Sequence, residues 1–318
     1  MEVMESKSWV HCGRAFSAAE VAEICATVAW LPRLPRTELA ATLCEHLSWF
    51  TLTGTPKIDA CLEFMQRLQA AGLLVLPPLR PTPPRRRAAP AAPVALVEPA
   101  ARIEPAPEPL LDCALSALAP VCLEIVRDAE RVAQWDELVA RWHPLGFQGA
   151  FGYRLRYFIT AGDQRLGCLL LSGAARAVAV RDHWIGWSPQ ARRDNVSRVV
   201  NNSRFLIFPH VRVPHLASHV LGQLARRARA DWLEHWGFEP CLLETFVDPL
   251  HHSGTCYRAA GWQLLGQTSG RGLARPGESY HSTPRQVWMK PLTADFRAVL
   301  CAAPASPRAM SQPAVART

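Results

Sequence analysis

The chain has 318 residues, a hydrophobic fraction of 49% and a formal net charge of +8, which allows two domains of about 150 residues each. It contains no run of about 18 apolar residues that could cross a bilayer and no signal-peptide pattern at its start. We therefore expect a cytoplasmic protein without a membrane partner. Its ten cysteines form no Cys-x-x-Cys pair, so we expect reduced thiols and no zinc finger. The excess of basic over acidic residues favours a polyanionic partner.

The first 78 residues predict three helices and a short strand. The helices are expected at 16–30, where Ser17 and Glu20 form a capping box, and at 36–44 and 58–71. The strand is expected at 73–76. This order is typical of a winged-helix module, which places one helix in the major groove of DNA, and Arg36, Lys57 and Arg67 are its predicted DNA contacts. A helical protein-docking module is the alternative.

Two segments have a composition that is typical of linkers and tails, which form no packed core. Residues 79–109 are rich in Pro and Ala and contain the run 85–87 of three arginines, which indicates an extended linker. The arginines could bind phosphate or simply keep the linker solvated. Residues 296–318 predict a disordered tail.

Residues 110–295 predict an α+β domain. One or two helices are expected at 110–142, and the longest helix of the chain at 216–236. A further helix is expected at 190–199, and a short one closes the segment 241–262. Strands are expected at 153–159, 166–172, 175–180, 184–187, 204–208, 263–267 and 285–289, and at the start of the segment 241–262.

This order of elements is similar to the acyl-CoA N-acetyltransferase (GNAT-like) fold, with a mixed sheet. The resemblance implies that a Tyr in the last helix acts as a general acid, which nominates Tyr257. That family binds the pyrophosphate of its cofactor with a glycine-rich turn before the long helix, where bare backbone N–H groups are needed. The corresponding segment 211–219 has no glycine. Acyl-CoA is therefore disfavoured as the cofactor, and an acyltransferase with an atypical donor site stays an alternative.

A second resemblance rests on a series of six motifs. They are Arg181-Asp182-x-Trp184-Ile185-Gly186-Trp187, the run Val200-Asn201-Asn202-Ser203-Arg204-Phe205-Leu206-Ile207-x-Pro209, Leu216-Ala217-Ser218, Leu243-Glu244-Thr245-Phe246-Val247-Asp248, Gly254-Thr255-Cys256-Tyr257-Arg258-Ala259-Ala260 and Gly270-Arg271-Gly272. Together they resemble the DruA family of the Druantia anti-phage system, whose members also occur beside transposases. The chain departs from the family at His210 and Leu273. The resemblance implies a role in phage defence or in a mobile element, with a helicase-like defence protein or a transposase as partner.

The candidate catalytic residues are Glu244, Asp248, Tyr257 and Asn202. Acids in an apolar strand are costly unless they have partners, and with Asn202, His210 or His251 they could hold a divalent metal or act as acid and base on a phosphodiester. Alternatively, Glu244 forms an ion pair with Arg204 or Arg258, and Asp248 caps a turn. Asn201 and Asn202 could form Asx-turns, and Tyr257 could be a core residue.

The domain also offers arginines for nucleic-acid binding. Arg226 and Arg227 lie on the basic side of the long predicted helix, and Arg204, Arg258 and Arg271 lie near the candidate site. The sequence therefore predicts a DNA-associated protein of a defence system or mobile element, with action on phosphodiester bonds as a further hypothesis. A scaffold subunit without enzymatic activity is the remaining alternative.

Overall fold

The computed structural model describes residues 9–51, 55–79, 109–147, 152–270 and 283–303. Most of the predicted linker, including the arginines at 85–87, lies outside the described residues. So do Arg271, Leu273 and the end of the predicted tail. Within the described part of the chain, no helix is long and apolar enough to cross a membrane.

The front of the chain folds as a hairpin followed by three helices. The elements are β1 Trp9–His11, β2 Arg14–Phe16, α1 Ala18–Trp30, α2 Arg36–His46 and α3 Ile58–Ala70. The predicted capping box is confirmed, because Ser17 accepts from the Glu20 amide while Glu20 accepts from the Ser17 amide. The strand predicted at 73–76 is wrong: no strand among the described residues pairs with this segment, and Val75 is 86% exposed. The hairpin precedes the helices, so the winged-helix assignment stays a prediction.

The second part of the chain is built on a mixed sheet of seven strands. Its strand order is β10-β11-β9-β7-β6-β5-β4. These strands are β4 Val121–Ile125, β5 Arg154–Ala161, β6 Gln164–Gly173, β7 Val199–Ile207, β9 Leu242–Val247, β10 Gln263–Gln267 and β11 Gln286–Pro291. Two shorter strands, β3 Leu111–Asp112 and β8 Val211–Arg212, pair separately. All neighbours in the large sheet are antiparallel except β7 and β9.

Helices cover the large sheet. They are α4 Ala129–Trp142, α5 Ala179–Ile185, α6 Pro189–Asn195, α7 Leu216–Trp236, α8 Thr255–Ala259 and α9 Phe296–Cys301. Helix α7 has the predicted bounds, and its apolar stripe of Leu221, Leu224, Ala228 and Trp232 is fully buried. It connects the parallel pair β7 and β9, as crossover connections in parallel pairs do. The predicted α+β fold class with a mixed sheet is confirmed.

Three assignments within this domain are corrected. The helix predicted from residue 110 begins only at Ala129, because Val121, Leu123 and Ile125 alternate toward the core in the edge strand β4. The strands predicted at 175–187 are replaced by α5, which buries Arg181 and Ile185. The turn predicted at Asn201 and Asn202 is part of β7.

The tail predicted from residue 296 contains helix α9. Its Phe296 stacks on Trp184 with 5.0 Å between ring centroids, and its Leu300 is fully buried. The side-chain amide of Asn195 donates to the carbonyls of Leu300 and Ala302. These contacts order the segment up to the last described residue, because they bury its apolar side chains against α5 and α6.

The front unit packs directly on the sheet domain. Arg154 of β5 forms a bidentate ion pair with Glu38 of α2, at 2.7 and 2.8 Å. Arg176 binds Glu23 and Thr27 of α1. Buried residues of both parts belong to one continuous hydrophobic cluster. The predicted domain boundary at residue 78 therefore does not separate two hydrophobic cores, because one core includes residues from both sides of it.

Candidate functional site

A cavity opens where β7 and β9 diverge. The two strands pair only over Val199–Asn201 and Leu242–Glu244, after which β7 stays with β6 and β9 stays with β11. The gap between them has a volume of about 720 Å³, within the usual range of ligand pockets. Its walls come from β7, β9, the end of α4 and the turn that leads into α8.

A β-bulge shapes the wall that β7 contributes. Leu170 of β6 pairs with Arg204, and the next residue, Leu171, pairs with Asn202. Ser203 is therefore the extra residue of the bulge. It lines the cavity, and its buried hydroxyl has no hydrogen-bond partner among the described residues.

The inner end of the cavity is a small hydrogen-bonded group. The phenol of Tyr257 donates to Asn202 Oδ1 at 3.0 Å, and the hydroxyl of Thr245 donates to the Asn202 carbonyl at 2.9 Å. The Asn202 amide donates to the carbonyls of Leu170 and Arg204. Burial raises the pKa of the Tyr257 phenol, so this group is neutral and acts as a hydrogen-bond donor. The structure thus brings the predicted residues Asn202 and Tyr257 together.

Cationic and ionisable groups lie in and beside the cavity. Arg285 lines it, and its buried Nε has no acceptor among the described residues. Burial, and then repulsion from Arg285, lower the pKa of Arg204. Burial, followed by the charges of Arg204 and His252, lowers the pKa of His143 to about 4. The two guanidinium groups are therefore close enough to repel each other.

Asp248 is the one carboxylate among the described lining residues. It accepts from the Leu250 amide at 2.9 Å, and its Oδ2 lies 3.4 Å from His251 Nδ1. The Leu250 amide, followed by His251 and Arg285, lowers the pKa of Asp248. Asp248 thus caps a turn, as one of the sequence interpretations had it, and also orients a histidine at the mouth of the cavity.

Glu244 lies away from the cavity. Its side chain is fully buried and accepts from Arg181 at 2.8 Å and from the Ala175 amide at 3.0 Å. Glu244 therefore forms an ion pair, as the alternative interpretation of the sequence had it. Its partner, however, is Arg181 and not Arg204 or Arg258. This position separates Glu244 from Asp248, and the two acids do not face one centre.

Most arginines predicted to contact DNA are engaged within the protein. Arg36 donates to the Pro77 carbonyl, Arg67 to the Val10 carbonyl, and Arg227 to Asp231 and the Leu123 carbonyl. Arg204 donates to the carbonyls of Gly146 and Ser203 beside the cavity.

The other predicted contacts are more accessible. Arg226 and Arg258 are exposed and Lys57 is partly exposed, while Arg258 lies over the Trp288 ring. None of these three forms an ion pair with another described residue.

Several residues of the site were not predicted from the sequence. Arg285 was assigned only as the start of a strand, and Ser203 was hidden by the turn predicted before β7. His143 and Phe205 were not considered. One signal was available for Arg285, since a single arginine before a buried strand needs an anionic partner.

One group elsewhere has the residue types of a metal site. The ligand atoms of His11, Cys12 and Glu63 lie within 4.8 Å of one another. However, Arg67 Nη1 lies 3.0 Å from His11 Nδ1, and a guanidinium can only donate. The proton of a neutral His11 ring is thereby placed on Nε2, the atom that faces Glu63 and would have to bind the metal. The group does not fit a metal ion.

The start of α7 does not have the geometry of a phosphate-binding turn. His215 caps the helix with φ of 66°, and the preceding residue is a proline. Proline lacks a backbone N–H, so one donor to an anion is missing. This geometry is consistent with the prediction that acyl-CoA is disfavoured as the cofactor.

Solved structures similar to this chain include several acetyltransferases. An acetyltransferase from Bacillus subtilis in complex with CoA is 9% identical, with a TM-score of 0.34, over 55% of this chain and all of that one. An N-acetyltransferase from Staphylococcus aureus is 10% identical, with a TM-score of 0.33, over 55% and 99%. FeeM, an N-acyl amino acid synthase from uncultured soil microbes, is 11% identical, with a TM-score of 0.33, over 54% and 90%.

A comparison of the sequence with protein-family models assigns the chain to a family. No curated protein matches the chain. Residues 111–277, which contain the parallel strand pair and nearly all of the described cavity lining, match the family described as Druantia protein DruA. The chain therefore belongs to the DruA family of the Druantia anti-phage defence system.

Proposed function

We propose that this chain serves anti-phage defence by binding DNA at the cavity between β7 and β9. The observation that carries the proposal is the environment of Arg285. Arg285 lines the cavity, its buried Nε has no acceptor among the described residues, and its charge lowers the pKa of Arg204. An anion in the cavity would accept from Arg285 and relieve this repulsion.

A phosphate is the anion that best matches this site. Arginine binds phosphate oxygens with directed, charge-assisted hydrogen bonds, and the net charge of +8 attracts a polyanion to the whole surface. The one lining carboxylate, Asp248, is already bonded to Leu250 and His251. The cavity therefore has more positive than negative groups to offer a ligand.

The front unit supports this proposal less directly. The outer face of α3 presents Asp59, Glu63 and Gln66 to solvent, and Arg67 on the same face donates to Val10. A recognition helix usually presents more positive charge than this to the phosphates. DNA binding by the predicted winged helix remains a separate prediction, and the cavity is the site we favour.

The proposal can be tested by fluorescence anisotropy with a labelled DNA oligonucleotide at increasing salt concentrations. We expect measurable binding that weakens with salt, since phosphate contacts release counterions. Arg285→Gln should weaken binding about tenfold and reduce the salt slope by about one. The comparison variant is Arg226→Gln on α7, which lies outside the cavity lining. A loss confined to Arg226→Gln would move the site to α7, and no binding by the wild type would exclude the function.

The scaffold alternative is distinguished by a phage-restriction assay in cells. A subunit that only holds its partners together should restrict phage equally well with Arg285→Gln, because the substitution removes a charge inside a cavity and not a docking surface. Loss of restriction with normal protein levels would support the ligand-binding role.

The acyltransferase alternative also has an observation in its favour, namely a cavity between two diverging strands of the sheet. A ligand that binds the folded state raises thermal stability by mass action. A shift of the melting temperature with excess acyl-CoA, absent with free phosphate, would favour this alternative over DNA binding.

A further inference from the structure

The cavity combines three features: aromatic lining residues, a hydroxyl without a hydrogen-bond partner among the described residues, and the cationic residue Arg285. Phe205, Phe246 and Trp142 contribute aromatic faces or edges to the walls. Phe205 is held in place by an edge contact with Tyr257, at 6.3 Å between ring centroids. Such surfaces stack on bases of any sequence, because every base has a π-face.

Most polar atoms at the inner end already have partners. Asn202 uses both ends of its side-chain amide, and Thr245 donates to a carbonyl. The Ser203 hydroxyl is different, since it is buried without a partner among the described residues. A buried hydroxyl in this state loses free energy unless a ligand supplies a hydrogen bond. It can donate or accept, so it suits the polar edge of a base.

A paired duplex cannot use these features. Its bases are stacked and their Watson–Crick edges are occupied, so their faces do not reach a cavity in a protein. An unpaired nucleotide can place its base between aromatic side chains and leave its phosphate outside. A cavity lined by aromatic residues and by Arg285 offers both kinds of contact.

We infer that the DNA ligand of this cavity is an unpaired nucleotide, whose base enters between β7 and β9 while its phosphate binds Arg285. The inference rests on the proposed function and narrows it from DNA in general to single-stranded or locally unpaired DNA. Phe205 is assigned as a stacking residue and Ser203 as the residue that contacts the base edge.

The experiment uses the full chain and three ligands: a perfect duplex, the same duplex with one extra unpaired nucleotide, and one of its single strands. We expect the duplex with the unpaired nucleotide and the single strand to bind at least about tenfold more tightly than the perfect duplex, which corresponds to one stacked base. Equal binding of all three would overturn the inference but leave the proposed function standing. No binding of any would overturn both.

A pair of variants makes the test specific for the cavity. Phe205→Leu keeps an apolar side chain but removes the stacking surface, and it should abolish the preference for the unpaired nucleotide. Phe238→Leu is the matched control, because Phe238 packs on Tyr153 and Trp232 away from the cavity. Thermal melts confirm that both variants are folded. A preference that survives Phe205→Leu, or is lost equally in Phe238→Leu, would overturn the assignment of the base to this cavity.

Discussion

Arg181 and Glu244 form an ion pair in which both side chains are completely buried, with 2.8 Å between Nη1 and Oε2. Arg181 also donates to Asp182 and to the Ala175 carbonyl. Burial opposes the charge on Arg181, but the carboxylates of Glu244 and Asp182 outweigh it and raise its pKa. This pair joins α5 to the interior strand β9, and it gives Glu244 a structural role outside the cavity.

We predict that Glu244→Gln lowers the free energy of unfolding by about 3 kcal/mol, because it leaves the charge of Arg181 buried with only Asp182 opposite. Urea denaturation measures the change. At temperatures where the variant is folded, DNA affinity should equal that of the wild type, since Glu244 does not line the cavity. A stable Glu244→Gln variant with altered DNA binding would contradict this assignment.

His143 predicts a dependence of stability on pH. Its pKa is lowered to about 4 in the folded protein, against about 6.5 in an unfolded chain. The unfolded state therefore binds more protons between these values, and stability is lost as pH falls from about 6.5 toward 4. His143→Gln should lose less stability than the wild type over this interval, as measured by thermal melts. Parallel losses in both proteins would contradict the prediction.

The same residue links pH to ligand binding. A phosphate bound near Arg204 and Arg285 would offset the positive charges that lower the pKa of His143, so DNA binding should favour its protonated form. We predict that DNA affinity rises between pH 7 and about 5 in the wild type and rises less in His143→Gln. Anisotropy titrations at constant salt measure the difference. An equal pH response in both proteins would exclude His143 as its source.

Asp248 and His251 are the pair that can still serve as general base in the hypothesis that this chain acts on phosphodiester bonds. Asp248 orients His251 through Nδ1, and an oriented histidine can take a proton from water. We predict that Asp248→Asn and His251→Gln reduce strand cleavage by about a hundredfold without weakening DNA binding. His252→Gln is the neighbouring control. Cleavage that persists in both variants would rule out this pair.

The contact between the front unit and the sheet domain predicts cooperative unfolding. Glu38→Ala removes the partner of Arg154, and because this ion pair is partly exposed we expect a loss of about 1 kcal/mol. The charge-swapped double variant Glu38→Arg, Arg154→Glu should recover part of it. Calorimetry should show one transition for the full chain. Two separate transitions would mean that the front unit folds independently.

Long periodic elements of this fold could be predicted from the sequence. Helix α7 was assigned correctly because Leu221, Leu224, Ala228 and Trp232 repeat at helical spacing over 21 residues. The capping box of Ser17 and Glu20 fixed the start of α1 in the same local way. In both cases the residues that determine the helix lie within the helix itself or directly beside its first turn.

Elements that depend on distant partners were missed. Helix α5 is short and contains a buried charged residue, Arg181, whose fully buried partner Glu244 lies 63 positions later in the chain. Strand β4 was assigned to a helix because a single apolar alternation over five residues is weak beside an apolar helix pattern. The bulge at Ser203 depends on the pairing of β7 with β6, which no local pattern encodes. For these reasons the cavity-lining residues Asn202, Asp248 and Tyr257 were candidates from the sequence, whereas Arg285 and Ser203 were not.

The short pairing of β7 with β9 has a consequence for how this site can change. Beyond Asn201 and Glu244 the two strands form no further ladder pairs in the described part of the chain, so main-chain N–H and C=O groups are left to face the gap, except the Asn202 carbonyl, which accepts from Thr245. Substitution of side chains leaves these groups in place. The side chains around them can therefore diverge between relatives, altering which ligand is preferred, while a main-chain surface able to hold a polar ligand persists.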